Sequence, residues 1–287
     1  MDNKFTMSIN LNVLNHLGLN LYSNIPAVLS EIVANSWDAD ADNVKIKIEN
    51  NEIRISDDGS GMTLEDINDK FLTIGYPKRE CGEIKTLKYS RPVMGRKGIG
   101  KLSMFSIAKN IQIITRKNDI INGFEMDVNE IINTIKDKNE NYHPKEIIVE
   151  EDKLSSNGTK IILKNLKKGI SKMTSDYIKK RIARRFSIIG NEYNFSVFVD
   201  KKEISIEDRD YFSRLNYIWY YGDKSKKYCD YASKQQHSEI RENEITLENK
   251  KYLISGWIGT VNTSGDHSPW KTKAKNSEAW GRVPFKD

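Results

Sequence analysis

The sequence predicts an α+β protein in which helices and strands mix within one domain, and three patterns carry that prediction. First, Ile25, Val28, Leu29, Ile32 and Val33 recur at helical spacing. Second, residues 44–48 and 53–55 alternate apolar with polar side chains, as half-buried strands do. Third, strand-like runs return at 111–115, 123–128, 147–150 and 159–163, after a helical stretch at 98–108. At 287 residues the chain is long enough for two cores, and it is expected to divide into domains at 1–168 and 169–287.

Taken in order, residues 9–21 have loose helical periodicity. Ser23 and Asn24 then supply caps, and Pro26 suits a first helical turn, so a helix is expected to run to about Trp37. Asn50 and Asn51 separate the two alternating strands, which makes a hairpin the natural unit. The second strand ends at Asp57, so the turn Asp57-Asp58-Gly59-Ser60-Gly61-Met62 falls at a sheet edge, where loops carry ligands. Residues 63–72 read as a short helix. Residues 76–94, with Pro77, Gly82 and Pro92 among charges, read as an unstructured loop long enough to be functional. Ile99, Leu102, Phe105 and Ile107 mark the next helix. Beyond Asn165 the character changes to a basic helix at 172–186, a hairpin at 195–204 around Asp200-Lys201-Lys202, and an aromatic run at 211–221. The run 281–285 does not read as the close of a finished domain, so the second unit is expected to be incomplete.

Lys and Arg number 46 against 40 Asp and Glu, a net +6 that makes the surface mildly basic without a dense nucleic-acid arm. Two cysteines, Cys81 and Cys229, form no framework, and no cleavable signal, apolar span or lipidation motif is present. A reduced, cytoplasmic protein with no membrane contact is expected. The four histidines lack metal-ligand spacing, so no zinc is expected, and the three Asn-x-Ser/Thr sequons are then chance matches.

Glu31, Asn35 and Asp38 fall on one face of the first helix, a polar stripe on an otherwise apolar element. Burying such a stripe is costly unless something polar meets it, and a ligand with a metal is the natural partner. Gly95, Gly98 and Gly100 precede a helix, so their backbone N–H groups can hold phosphate oxygens. Residues 95–101 also match the first seven positions of a Walker A loop, but Leu102 stands where that loop needs a hydroxyl, and no apolar strand precedes it. Lys97 and Lys101 can neutralise phosphate or simply face water.

The segments 31–39, 57–62 and 95–101, in that order, resemble the GHKL superfamily of gyrase, ninety-kilodalton heat-shock chaperones, histidine kinases and MutL proteins. The prokaryotic MORC-like ATPases are nearest in flavour. The resemblance spans about the first 165 residues and includes a weaker motif, Asn157-Gly158-Thr159, followed by a strand. It implies a two-layer α/β sandwich of the Bergerat type with a mixed sheet, followed by a partial transducer-like α/β domain. It further implies ATP as ligand, with Glu31 as general base and Asn35 as the Mg²⁺ ligand. Asp57 would accept a hydrogen bond from the adenine amino group, with Thr159 sharing a water. Asp38 and Ala39 would shape the adenine wall, Gly59 and Gly61 would let the backbone approach the base, and Met62 would pack on the ring or merely fill core. Gly95, Lys97, Gly98, Ile99, Gly100 and Lys101 would hold the phosphates, and residues 76–94 would form the ATP lid. A carboxylate that reads an exocyclic amine selects ATP over GTP.

In hydrolysing branches a cation from the second domain reaches the γ-phosphate, and Lys271 and Lys273 lie in the matching region. Lys179, Lys180, Arg181, Arg184 and Arg185 would meet nucleic-acid phosphates or form a wet helix face. The resemblance thus implies Mg²⁺-dependent ATP hydrolysis coupled to lid closure and homodimerisation, in DNA handling or phage defence. A non-hydrolysing ATP sensor or scaffold is the alternative. A histidine kinase fits less well, because His16 alone lies upstream, with no room for a phosphoacceptor hairpin.

Overall fold

The computed structural model describes residues 7–8, 25–73, 76, 84–95, 100–136, 141–149, 154, 156–167, 174–209, 211–212, 215, 217–231, 237–241 and 244–260. The chain divides into two compact units, Met1–Ile206 and Glu207–Asp287.

In the first unit, β1 (Met7–Ser8) precedes α1 (Ile25–Asp38), which buries Ile25, Val28, Leu29, Ile32, Val33 and Trp37. It ends at Asp38, one residue past the expected end at about Trp37, while the cap candidates Ser23 and Asn24 lie outside the described residues. Ser30 inside it satisfies its hydroxyl on the preceding turn, donating to the Pro26 carbonyl at 2.7 Å. The expected hairpin follows as β2 (Asn43–Ile48) and β3 (Glu52–Asp57), antiparallel with Val44 opposite Asp57. Thr63 and Asp66 exchange side-chain caps at 3.2 and 3.1 Å and start the expected short helix, which continues as a π-helical turn, Asp66–Phe71.

A 3-10 helix, Gly100–Ser106, occupies the middle of the segment expected to be helical at 98–108. Then come β4 (Ala108–Lys117), β5 (Ile120–Asp127), α2 (Val128–Lys136), β6 (Asn141–Tyr142), β7 (Lys145–Glu146) and β8 (Gly158–Leu166). The strand expected at 147–150 is displaced. Pairing with β5 is confined to Lys145 and Glu146, after which the Ile147 N–H still reaches the Gly123 carbonyl at 3.0 Å but no ladder continues through Val149. Next in the chain are α3 (Ser175–Arg185), capped by Thr174, then β9 (Ser196–Val199) and β10 (Lys202–Glu203), the expected basic helix and hairpin.

These strands form an eight-stranded mixed sheet in the order β10-β9-β2-β3-β8-β4-β5-β7, while β1 pairs with β6 apart from it. Burial alternates along β2 and β3, so the sheet turns one face to the helices and the other outward. On the inner face Val44, Ile46, Ile53, Ile55, Ile111, Ile113 and Leu163 meet the apolar faces of α1 and α3 in one core. This mixed sheet with helices packed on one face is the two-layer α/β sandwich expected. Its extent differs from the expected boundary at 168. β9 is a parallel neighbour of β2, with Val197 opposite Val44, and α3 lies against α1, so the first compact unit runs through Ile206.

In the second unit β11 (Tyr217–Tyr221) pairs in parallel with β12 (His237–Arg241) and antiparallel with β15 (Gly256–Thr260). β13 (Glu244–Leu247) and β14 (Lys250–Leu253) form a separate hairpin. Around Trp257 gather the rings of Phe212, Tyr211 and Tyr228, at centroid distances of 5.0, 5.8 and 6.2 Å. Among the described residues no helix is long and apolar enough to cross a membrane.

Candidate nucleotide site

The site is built where the C-terminal half of α1 crosses the end of β3. Asp57 closes that strand, and three donors converge on its carboxylate. The Gly59 N–H donates at 3.0 Å, the Ser36 hydroxyl at 3.0 Å and the Thr159 N–H at 3.2 Å. Burial pushes the Asp57 carboxyl up to about 6, against these hydrogen bonds, which favour its charged form. A partly charged acceptor held rigidly at the end of a strand is suited to a polar ligand edge.

The turn after Asp57 is compact because glycines stand where side chains cannot. A Cβ on Gly59 would lie 2.8 Å from the Ala39 carbonyl oxygen, and one on Gly61, at φ +65°, would lie 1.9 Å from the Arg116 carbonyl oxygen. The Ser60 N–H donates to the Ala39 carbonyl at 2.8 Å, which joins this turn to the end of α1. Asp58 accepts from the N–H groups of Asp42 and Asn43 at 2.8 and 2.7 Å, and so ties the turn to the start of β2.

A second hydroxyl pair completes the floor. Thr115 on β4 is fully buried, donates to the Gly158 carbonyl at 3.0 Å, accepts from the Met62 N–H at 2.9 Å and lies 3.2 Å from the Thr159 hydroxyl. Met62 is partly buried against the core. Asp57, Gly59, Gly61, Met62, Ala39 and Thr159 therefore gather at one place.

Asp38 takes a part that its sequence position does not advertise. Its two carboxylate oxygens accept the N–H groups of Met94 and Gly95 at 2.7 and 3.0 Å. The loop expected at 76–94 is, over residues 84–94, an anchored turn. Lys85 bridges Pro92, Thr86 and Arg91 pair through their backbones at 2.9 Å, and the Trp37 indole donates to the Pro92 carbonyl at 3.0 Å. Asp40 at the end of α1 accepts from the Thr86 hydroxyl at 2.5 Å and the Lys88 N–H at 2.7 Å. The buried Arg91 guanidinium lies 4.4 Å from the Trp37 ring and 4.5 Å from that of Tyr89, while donating to the Ala41 and Asn194 carbonyls at 2.8 Å each. A turn held at this many points is a fixed wall, so the expectation of an unstructured segment is corrected there.

The rest of the polar stripe is more open. Asn35 is exposed, and Glu31 keeps 29% of its side-chain surface. Glu31 Oε2 faces Gly100, where a Cβ would stand 2.7 Å from it, and Oε1 lies 3.4 Å from Arg185 Nη2 at the end of α3. Lys97, Gly98 and Ile99 lie outside the described residues, as do Lys271 and Lys273, and Lys101 is placed by its backbone in the 3-10 helix. Lys180 and Arg185 on α3 are exposed, whereas Ile178, Ile182 and Ala183 are buried, so the basic stretch is the outer face of an amphipathic helix.

Ser36, Thr115 and Arg185 were not singled out for this site by the motifs. Ser36 gives a signal in retrospect, a hydroxyl between the apolar Val33 and Trp37 on a helix face that otherwise packs. Thr115 and Arg185 give none, because their partners are remote in sequence.

Residues 22–159 match the family model described as "Histidine kinase-, DNA gyrase B-, and HSP90-like ATPase". The mixed sheet and the converging motifs agree with that match, and this part of the chain is a GHKL ATPase domain. Over 266 residues, 92% of its length, the chain is 40% identical to a protein of Herpetosiphon aurantiacus named "Putative type II restriction enzyme HgiDII". It spans 43% of that relative's length.

Proposed function

We propose that this chain binds ATP with Mg²⁺ and hydrolyses it, and that the observation carrying the reading is the Asp57 carboxylate held by Ser36, Gly59 and Thr159. The residues present fit the nucleotide. Asp57 offers an acceptor to the adenine amino group, Ala39 and Met62 flank it, and the glycine turn keeps side chains away from the base. Asn35, exposed on the same helix face, offers the hard oxygen that suits Mg²⁺. The ion, shared with the phosphates, would supply neutralisation of developing negative charge.

Glu31 stands one helical turn before Asn35, with one carboxylate oxygen toward Gly100. In this reading it accepts a proton from the attacking water and orients that water at the terminal phosphate. Asp38 acts indirectly, fixing Met94 and Gly95 so that the glycine-rich segment starts from a set position. Closure over the bound nucleotide and pairing of two copies are the finer parts of the proposal, supported by family membership. The relative's name, a restriction enzyme, supports a place for this ATPase unit in a larger DNA-handling protein.

The test is Mg²⁺-dependent phosphate release by the purified chain, with nucleotide binding measured on the same sample. Glu31→Ala is expected to bind ATP as the unaltered chain does and to lose about 10²- to 10⁴-fold in kcat. Normal turnover in Glu31→Ala would remove Glu31 from the base role. Tight binding without turnover in the unaltered chain would favour the non-hydrolysing sensor.

A further inference from the structure

We infer that the outer face of the eight-stranded sheet, over β2, β3 and β8, is a docking surface for the phosphate backbone of duplex DNA. The inference rests on the reading of this unit as part of a DNA-handling protein and gives that reading a place on the molecule, on the face of the sheet turned away from α1.

The register sets the cations. Val44, Ile46, Ile53 and Ile55 are buried toward the helices, so Lys45, Lys47 and Arg54 fall on the opposite face, and all three are exposed. Pairing aligns Lys45 with Ser56 and Ser56 with Lys160 on β8, and it puts Lys47 directly opposite Arg54, which in turn faces Ile162. Strands about 4.8 Å apart and alternate residues about 6.8 Å apart then hold these cations within a rectangle of about 10 by 7 Å, with no carboxylate position inside it. The helices α1, α2 and α3 give Val28, Ile131 and Ile178 to the core on the other face, so none of them covers this patch.

The patch is not balanced from within the sheet. The Lys45 and Lys160 ammonium groups have no hydrogen bond or ion pair with a described residue. Lys47 and Arg54 meet as like charges across two strands, which costs stability unless something neutralises them. Glu49 does so in part, its carboxylate 2.6 Å from Lys47 Nζ and 3.5 Å from Arg54 Nη2, and Glu52 pairs with Arg54 Nε. The Lys47 and Arg54 side chains still keep 62% and 44% of their surface, so these pairs are weak and exchange readily for another anion. The same face is built differently where β4 meets β5. There the Asn110 and Gln112 amides donate to Glu125, and Asn110 also to Asp127, so the polar groups satisfy one another.

The chemistry of the patch selects its partner. Exposed lysines on a flat face meet phosphate oxygens as point charges, and duplex DNA presents one negative charge per about 1.7 Å of axis. Phe198, beside Lys45 in register, is partly buried, and no exposed ring stands among the described residues of the patch. An unpaired base would find nothing to stack on. The surface therefore fits a duplex held by its backbone, without a choice of base sequence.

The experiment is fluorescence anisotropy of a labelled DNA duplex of arbitrary sequence, titrated over a range of KCl with the unaltered chain, with the double variant Lys45→Gln/Lys160→Gln and with Lys109→Gln. Lys109 is exposed on β4 at the parity of Ile111 and Ile113, so it removes a charge from the other face. In the double variant the slope of log affinity against log salt should be shallower by about 2, with affinity about 10- to 100-fold weaker at about 0.1 M salt. Its unfolding midpoint and ATP affinity should match those of the unaltered chain, and Lys109→Gln should bind the duplex unchanged. Unchanged slope and affinity in the double variant would overturn the surface while leaving the DNA-handling reading in place. An equal loss per lysine in Lys109→Gln would also overturn it, by showing an effect of net charge alone. A single strand bound more tightly than the duplex would overturn the choice of partner. If the unaltered chain bound no DNA, the DNA-handling reading would fall and the surface with it, with the ATPase reading untouched.

Discussion

Two carboxylates of the same site sit in opposite circumstances. Asp57, at the end of β3, receives three hydrogen bonds from α1, its own turn and β8, whereas Glu31, one side of α1 away, is partly open and touches one arginine at 3.4 Å. The surroundings differ likewise. Around Asp57 the glycines, Thr115 and Asp58 lock strand ends and turns together, while Asn35 beside Glu31 is exposed. The contrast teaches a division of labour. The end proposed to read the base is finished before the nucleotide arrives, so little ordering cost falls on recognition. The end proposed to act on the phosphates keeps its groups in weak, exchangeable contacts that the ligand can rearrange.

Breaking the finished end should cost the most. Gly61→Val would place a Cβ 1.9 Å from a backbone oxygen at a positive φ that a β-branched residue avoids. A loss on the order of 3–5 kcal/mol in unfolding free energy is expected, measured by denaturant titration. A loss below about 1 kcal/mol would show that the turn is not rigid.

A smaller effect follows from the charge that this end encloses. The Asp57 carboxyl is raised from an ordinary 3.8 to about 6, so its protonated form is the one that folding favours. Its contribution to stability is fully present below about 3.8 and is lost as pH rises through about 6. The nucleotide-free protein should therefore gain up to about 3 kcal/mol between pH 7 and pH 4 from this one group. In Asp57→Asn that rise should disappear from pH-dependent unfolding curves, with stability at pH 7 equal to or above that of the unaltered chain.

The smallest effect sharpens the comparison where the two ends meet. Asp38→Ala would release the N–H groups of Met94 and Gly95, yet Trp37, Asp40 and Arg91 still hold residues 84–92. About 1–2 kcal/mol of stability should be lost. Hydrogen exchange should accelerate at Met94 and Gly95 while Thr86 and Val93 stay protected.

What was legible in the sequence was what short-range spacing encodes. The α1 stripe of Glu31, Asn35 and Asp38 follows from helical periodicity, and the β2–β3 hairpin from alternation about two asparagines, so Asp57 could be placed at a strand end. What was not legible depends on pairing between distant segments. Nothing near Ser196 says that β9 will lie parallel to β2, and that pairing moves the division of the chain from 168 to 206. Residues 84–94 have the composition of a loop, yet Asp40, Trp37 and Arg91 make them a wall, through contacts that no local pattern contains. Arg185 reads as one more charge on a basic helix until α3 is seen against α1.

The central claim is that Asp57 is the prepared recognition group of an ATP site, and titration of Mg²⁺-ATP into the unaltered chain and Asp57→Asn at pH 7.5 tests it most directly. The account requires saturable binding of ATP in preference to GTP by the unaltered chain, and an affinity about 10- to 100-fold weaker in an Asp57→Asn protein that is no less stable. Undiminished ATP affinity in Asp57→Asn, or GTP bound as tightly as ATP by the unaltered chain, would contradict it.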